Sequence, residues 1–234
     1  MKPRSTVLPS RRANLVSRGL AVLAKDIRLE MRNRFALNAI LMFGITTLTV
    51  VSFALGQAGL KPQVLGALYW IVLFFSATSG LAHVFVREEE AGTALLLRLK
   101  GDPDPVFLGK LLFNVLLISL MTIIVTPIFF AFTDTPADNI GDFSVLVVLG
   151  LIGLSAATTL VAAIIARASS RGALFAVLSF PILMPLLLVL VKASQKILLG
   201  LGLGNIWTEI QFLIAYAVIM SVGSFLLFKF VWRE

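Results

Sequence analysis

An all-α, polytopic membrane protein with six transmembrane helices is the fold class this sequence predicts, and three observations carry it. Hydrophobic residues make up 59% of the 234 and charged residues 14%, with a mean hydropathy of +0.99; soluble globular chains have about 45–50% and about 25%. Six charge-free runs, Phe35–Leu60, Pro62–Val86, Leu111–Thr133, Phe143–Ala166, Gly172–Val191 and Ile210–Phe228, are each near the ~17–25 residues a helix needs to cross about 30 Å of hydrocarbon. None alternates with the period of two that a barrel strand needs, and lipid cannot satisfy an open backbone, so these runs are helical.

Ahead of the first run, residues 1–14 carry Pro3, Pro9 and four basic side chains and read as a basic disordered tail. Residues 15–34 are polar but patterned. On a helical wheel Val16, Leu20, Leu23, Ile27 and Met31 share one face, with Arg18, Lys25, Arg28 and Arg32 roughly opposite. This predicts an amphipathic helix in the membrane interface, held by apolar burial and anionic lipid, or serving only to anchor orientation. The first run is far longer than the 7–15-residue apolar region of a signal peptide. The small residues Ser52, Ala54, Gly56 and Ala58 only weakly resemble a cleavage site.

Basic residues set the orientation. Residues 1–34 hold nine Lys or Arg, 87–110 four, 167–171 two and 229–234 two, whereas the alternate loops hold only Lys61, Lys192 and Lys196. The positive-inside rule makes both termini cytoplasmic and turns the acidic 133–142 loop outward. The net charge of +8 therefore reflects topology rather than a nucleic-acid partner. With no cysteine, disulfides, thiolate metal sites and Cys-ligated haem are excluded. No internal repeat is visible in the domain 35–234. Pro127 falls in the third run and Pro181 and Pro185 in the fifth, each a candidate kink whose freed carbonyl a neighbouring helix can satisfy.

The cytoplasmic loop 87–110 carries the most information. Glu88, Glu89 and Glu90 come where the second run ends, and Gly92 weakens a continuing helix. A short helix fits Thr93–Lys100, with the glutamates at its positive end and Arg98 and Lys100 at its negative end. Gly101 and Pro103 end it. Asp104 then caps the third membrane helix, with Pro105 at its first position. This short helix carries Leu95, Leu96, Leu97 and Leu99. Burying a leucine fully is worth about 1.5–3 kcal/mol, so such a surface calls for a partner. That partner is another protein, the bilayer interface or the underside of the chain's own bundle.

The order of these features resembles the CcmB family, the permease subunit of the ABC-type haem exporter in cytochrome c maturation. The matching residues are the AKDIRLEMRNR segment, Phe85-Val86-Arg87-Glu88 followed by Gly92, the leucine cluster, Pro103 and Pro105, the LGKLLFN start of the third run, and Phe180–Leu188, FPILMPLLL. They cover the chain from about Leu20 to its C-terminus. Glu88 stands where the family pattern has aspartate, and Lys100-Gly101-Asp102 where it has apolar residues and proline. The resemblance implies an ABC-2-type exporter-like fold in a bacterial inner membrane. It also implies a cytoplasmic CcmA-like ATPase seated on a coupling helix at Phe85, Glu88, Gly92, Leu95, Leu96, Arg98 and Leu99. CcmC-like and CcmD-like membrane subunits are further implied partners, and pairing with a second copy of this chain is left open. Haem would be the handled ligand, with ATP bound by the partner.

The residues agree that energy comes from elsewhere. A phosphate loop needs glycines at a set spacing before Lys-Ser/Thr; Gly101, Gly109 and Lys110 have the wrong spacing and lack the hydroxyl, and GLGLGN at 200–205 lies in an outward loop. His83 is the only histidine and the one conventional nitrogen ligand for haem iron, though near an interface it serves equally as a hydrogen-bonding residue. Asn114 is expected to bond another helix. Met31, Met42, Met121, Met184 and Met220 form no cluster. A permease for lipid or another hydrophobic substrate, or a membrane assembly scaffold, stays open as an alternative.

Overall fold

The computed structural model describes residues 15–55, 61–90, 102–133, 140–165 and 171–233. Within them the chain forms α1 (Leu15–Asn33), α2 (Phe35–Leu55), α3 (Pro62–Glu90), α4 (Pro103–Thr133), α5 (Ile140–Ile165), α6 (Arg171–Leu198), a 3-10 turn (Leu203–Ile206) and α7 (Trp207–Arg233). Four stretches are long and apolar enough to cross a membrane: Pro103–Ala131, Ile140–Ala162, Val177–Leu198 and Leu203–Phe230. A fifth is counted if α1 and α2, bent by 64° at their junction, are taken as one broken span, while Pro62–Thr78 is a shorter apolar helix.

Two helices, α4 and α6, overrun the charge-free runs for one reason: each lysine that bounds the run is met by a carboxylate. Lys110 lies inside α4 against Asp26, 3.4 Å away. Lys192 and Lys196 fall on the last turns of α6 rather than in a loop, 3.7 and 2.8 Å from Glu209. A neutralised lysine no longer has to leave the bundle for water. The helix then ends at Gly200, φ +84°, where Gly200 N–H donates to the Ile197 carbonyl and Leu201 N–H to that of Lys196, a left-handed terminus suited to glycine.

α4 begins two residues earlier than expected. Pro103, not Pro105, is its first residue, and Asp104 lies in its first turn. Both prolines are tolerated because the first N–H groups of a helix have no intrahelical acceptor. Asp104 pairs with Lys229 of α7 at 3.2 Å instead of capping. α3 runs to Glu90, so the three glutamates belong to it rather than opening a new helix. The expected helix Thr93–Lys100 lies outside the described residues.

α5 is the central helix, packed on α4, α6 and α7. Its small residues permit this: a Cβ on Gly150 would fall 2.2 Å from the Trp70 ring, and one on Gly153 would fall 2.9 Å from Leu186. Trp70 is held by an Nε1–H bond to Ser194 Oγ, 2.7 Å. Beside it Tyr69 meets Trp70, Phe129 and Phe143 edge-on at centroid distances of 5.2, 5.1 and 5.2 Å, the arrangement aromatic quadrupoles favour. α4 continues through Pro127, and α6 through Pro181 and Pro185. Tyr216 O–H donates to the Ile182 carbonyl between the latter two, 2.7 Å.

Candidate coupling face

One end of the bundle gathers the first turns of α4, the last turns of α7 and the whole of α1. α1 packs mainly along α4, and the face it turns inward is not its apolar stripe. Gly19, Asp26 and Glu30 are its buried residues, whereas Val16, Leu20 and Met31 are exposed; Leu23 and Ile27 reach the core from the flank. The expected wheel is thus divided between bundle and surroundings.

The contact is close because it is made of glycines. A Cβ on Gly109 would lie 2.6 Å from Val22 Cβ and 2.8 Å from the Gly19 carbonyl oxygen, and one on Gly19 would lie 2.9 Å from Leu108 Cδ2. Small residues let two helical backbones touch where lipid gives no hydrophobic drive to association. One and two turns further along α1 from Gly19 lie Val22 and then Asp26, whose side chain is 5% exposed and reaches Lys110 Nζ, itself 4% exposed. Lys25 Nζ stands 3.1 Å from the other Asp26 oxygen. Arg18 pairs with Asp102, the residue just before α4.

A second set of contacts closes the same end. Phe107 packs on Phe225 and Phe228 at 5.6 Å each, and Lys229, the partner of Asp104, sits 4.1 Å over the Phe225 ring, a favourable cation–π position. Deeper in, Asn114 Nδ2 donates to Thr159 Oγ1 at 2.8 Å, which donates to the Ser155 carbonyl at 2.7 Å; Asn114 joins helices as expected. At the opposite end Glu209 binds Lys196 and Lys192, and Asp142 Oδ2 accepts from Leu203 N–H at 3.2 Å.

Of the residues singled out from sequence, His83, Phe85 and Glu88 lie on α3, and Gly92, Leu95, Leu96, Arg98 and Leu99 lie outside the described residues. Asp26, within AKDIRLEMRNR, and Gly109 and Lys110, within LGKLLFN, were given no role from sequence, and Gly19 was not named. Their signal was present in two places: a lysine opening an apolar run, and a small-and-acidic series Gly19, Val22, Asp26, Glu30 at helical spacing.

Membrane-length helices packed around a small-residue centre, with an ion-paired helix at one end, define a multi-pass, all-helical membrane protein. Residues 17–232 match the CcmB protein family, and the chain belongs to it. It is similar to Heme exporter protein B of Bradyrhizobium diazoefficiens, 26% identical over 183 residues that cover 77% of this chain and 82% of that one. It is also similar to Heme exporter protein B of Rhodobacter capsulatus, 25% identical over 170 residues covering 72% and 78%.

Proposed function

We propose that this chain is the membrane-spanning permease subunit of an ABC-type complex that exports or delivers haem for c-type cytochrome maturation. The observation that carries the reading is family membership over nearly the whole chain, joined by two relatives named as heme exporters. The chain supplies the membrane path, and a CcmA-like cytoplasmic ATPase, beside CcmC-like and CcmD-like subunits, supplies the energy. In this reading α2 and α3 complete six spans of an ABC-2-type arrangement in the bacterial inner membrane, both termini cytoplasmic.

The ATPase docks on the segment between α3 and α4, where Leu95, Leu96 and Leu99 fill its groove and Phe85, Glu88, Gly92 and Arg98 flank them. Changing the three leucines to serine tests this. Each is worth about 1–3 kcal/mol at the centre of a buried interface, so ATPase affinity falls by at least about a hundredfold, with membrane insertion unchanged. Co-purification at matched membrane levels is the measurement. Retention of the ATPase at wild-type stoichiometry rejects this docking site.

A further inference from the structure

We propose that the outward side of α1 is a binding site for anionic phospholipid, with Arg28, Arg32 and Arg34 on the headgroup phosphates and Val16, Leu20 and Met31 among the acyl chains. The bound lipid sets the depth of α1 and, through it, of the first turns of α4. The site is independent of what the protein carries.

α1 cannot cross lipid, because six of its 19 residues are charged, and it is bent by 64° from α2, whose residues 35–55 are all uncharged. It therefore lies along the membrane surface at its end of the bundle. Its charges are sorted by sign. Both carboxylates turn inward, Asp26 5% and Glu30 8% exposed, and Arg18 and Lys25 each stand beside a carboxylate, that of Asp102 and that of Asp26. The charges left exposed beyond these are basic: Arg28 and Arg32 on α1, and Arg34 just after it. Among the described residues Arg28 and Arg32 have no carboxylate partner.

The same helix keeps three faces apart. Gly19, Asp26 and Glu30 meet the bundle. At about 100° per residue, Val16, Leu20 and Met31 stand roughly 90° round from them, and Arg28 and Arg32 roughly 110° further on. The apolar face is open, with Val16 57%, Leu20 48% and Met31 60% exposed. An apolar face beside a basic one, with the third held by protein, suits a helix at the boundary: the first enters the acyl chains and the second stays at headgroup level. Arginine stems span the two zones, and an unbalanced cluster of cations favours anionic over zwitterionic lipid. At the end of the helix Arg34 Nε donates to the Met31 carbonyl, 3.4 Å, which keeps its guanidinium at the last turn, where Arg32 also stands. A Cβ on Gly109 would lie 2.6 Å from Val22 Cβ, so the depth of α1 is also the depth of the start of α4.

The chain has no cysteine, so Met31→Cys carrying a bimane label reports on this face alone. The full-length variant is placed in nanodiscs of equal phosphatidylglycerol and phosphatidylcholine, with acyl-chain bromine on one lipid or the other. Bromine on phosphatidylglycerol is expected to quench the label well beyond that lipid's share, and aqueous iodide to quench it little. Adding Arg28→Gln with Arg32→Gln is expected to lower the preference for phosphatidylglycerol by at least about tenfold, whereas Arg28→Lys with Arg32→Lys keeps it within about threefold, because charge is what the lipid reads. Melting temperatures in neutral detergent stay at the parent value in both, which separates the lipid contact from a structural role. Equal quenching by the two brominated lipids, or an unchanged preference in the double glutamine variant, overturns the site. Quenching by iodide alone places the face in water, and shielding from iodide and bromine alike places it against another protein; either result also overturns it.

Discussion

Gly150 shows how a single missing side chain can order a bundle. The Trp70 ring occupies the space a Cβ would need, at 2.2 and 2.7 Å, with Leu190 at 2.9 Å, and the ring cannot step aside while its Nε1–H is bonded to Ser194. Gly150→Ala is therefore expected to cost about 1–3 kcal/mol by overpacking, seen as a melting temperature lower by several degrees in detergent. Gly141→Ala is the control, with nothing within 4 Å of its added methyl and no expected loss. Equal melting temperatures for the two variants would show that the Trp70 contact does not constrain the helix. Neither glycine could be ranked from sequence, since both lie in one apolar helix and only the partner across the interface distinguishes them.

At the scale of the element, the two ends of the bundle use ion pairs of different worth. Lys110 and Asp26 are 4% and 5% exposed, whereas Lys196 and Lys192 are 30% and 67% exposed beside a Glu209 that is itself 7% exposed. Breaking a buried pair by removing one partner costs about 3–5 kcal/mol, while solvent-accessible pairs are worth about 0–1 kcal/mol. Asp26→Asn should thus reduce the folded yield sharply, and Glu209→Gln should leave it within a small margin of wild type; detergent melting curves compare them. A larger loss for Glu209→Gln than for Asp26→Asn would contradict this ordering. The same pairs explain why charge-free runs underestimated α4 and α6. A run counts each lysine as a helix end, but a carboxylate from another helix lets the lysine stay inside.

For the whole molecule, the basic asymmetry makes a topological prediction. Reporter tags at Met1 and Glu234 are expected on the cytoplasmic side, and one inserted at Asp138 on the external side, because Lys and Arg near span ends resist translocation. An external signal from either terminus would remove the six-span arrangement. The placement of α1, the start of α4 and the end of α7 at one end of the bundle, with Glu209, Asp142 and the end of α6 at the other, agrees with alternating passage of the helices through the membrane.

Composition and the long apolar runs were sufficient to read an all-helical membrane chain, because lipid leaves a backbone few choices and each span reports on itself. The family was legible too, since AKDIRLEMRNR, LGKLLFN and FPILMPLLL keep their order along the chain. What those motifs do to one another was not. Asp26 and Lys110 are 84 residues apart, and nothing local tells a lysine that will be exposed at a helix end from one that will be buried against a carboxylate. Nor does the wheel of α1 say which face meets the bundle: its apolar stripe was read for the membrane interface, and it is Gly19, Asp26 and Glu30 that face the bundle, because Gly109 allows close approach and Lys110 supplies the charge. Burial, and with it the worth of a charge, is a property of the neighbour, and only the packed helices decide who that neighbour is.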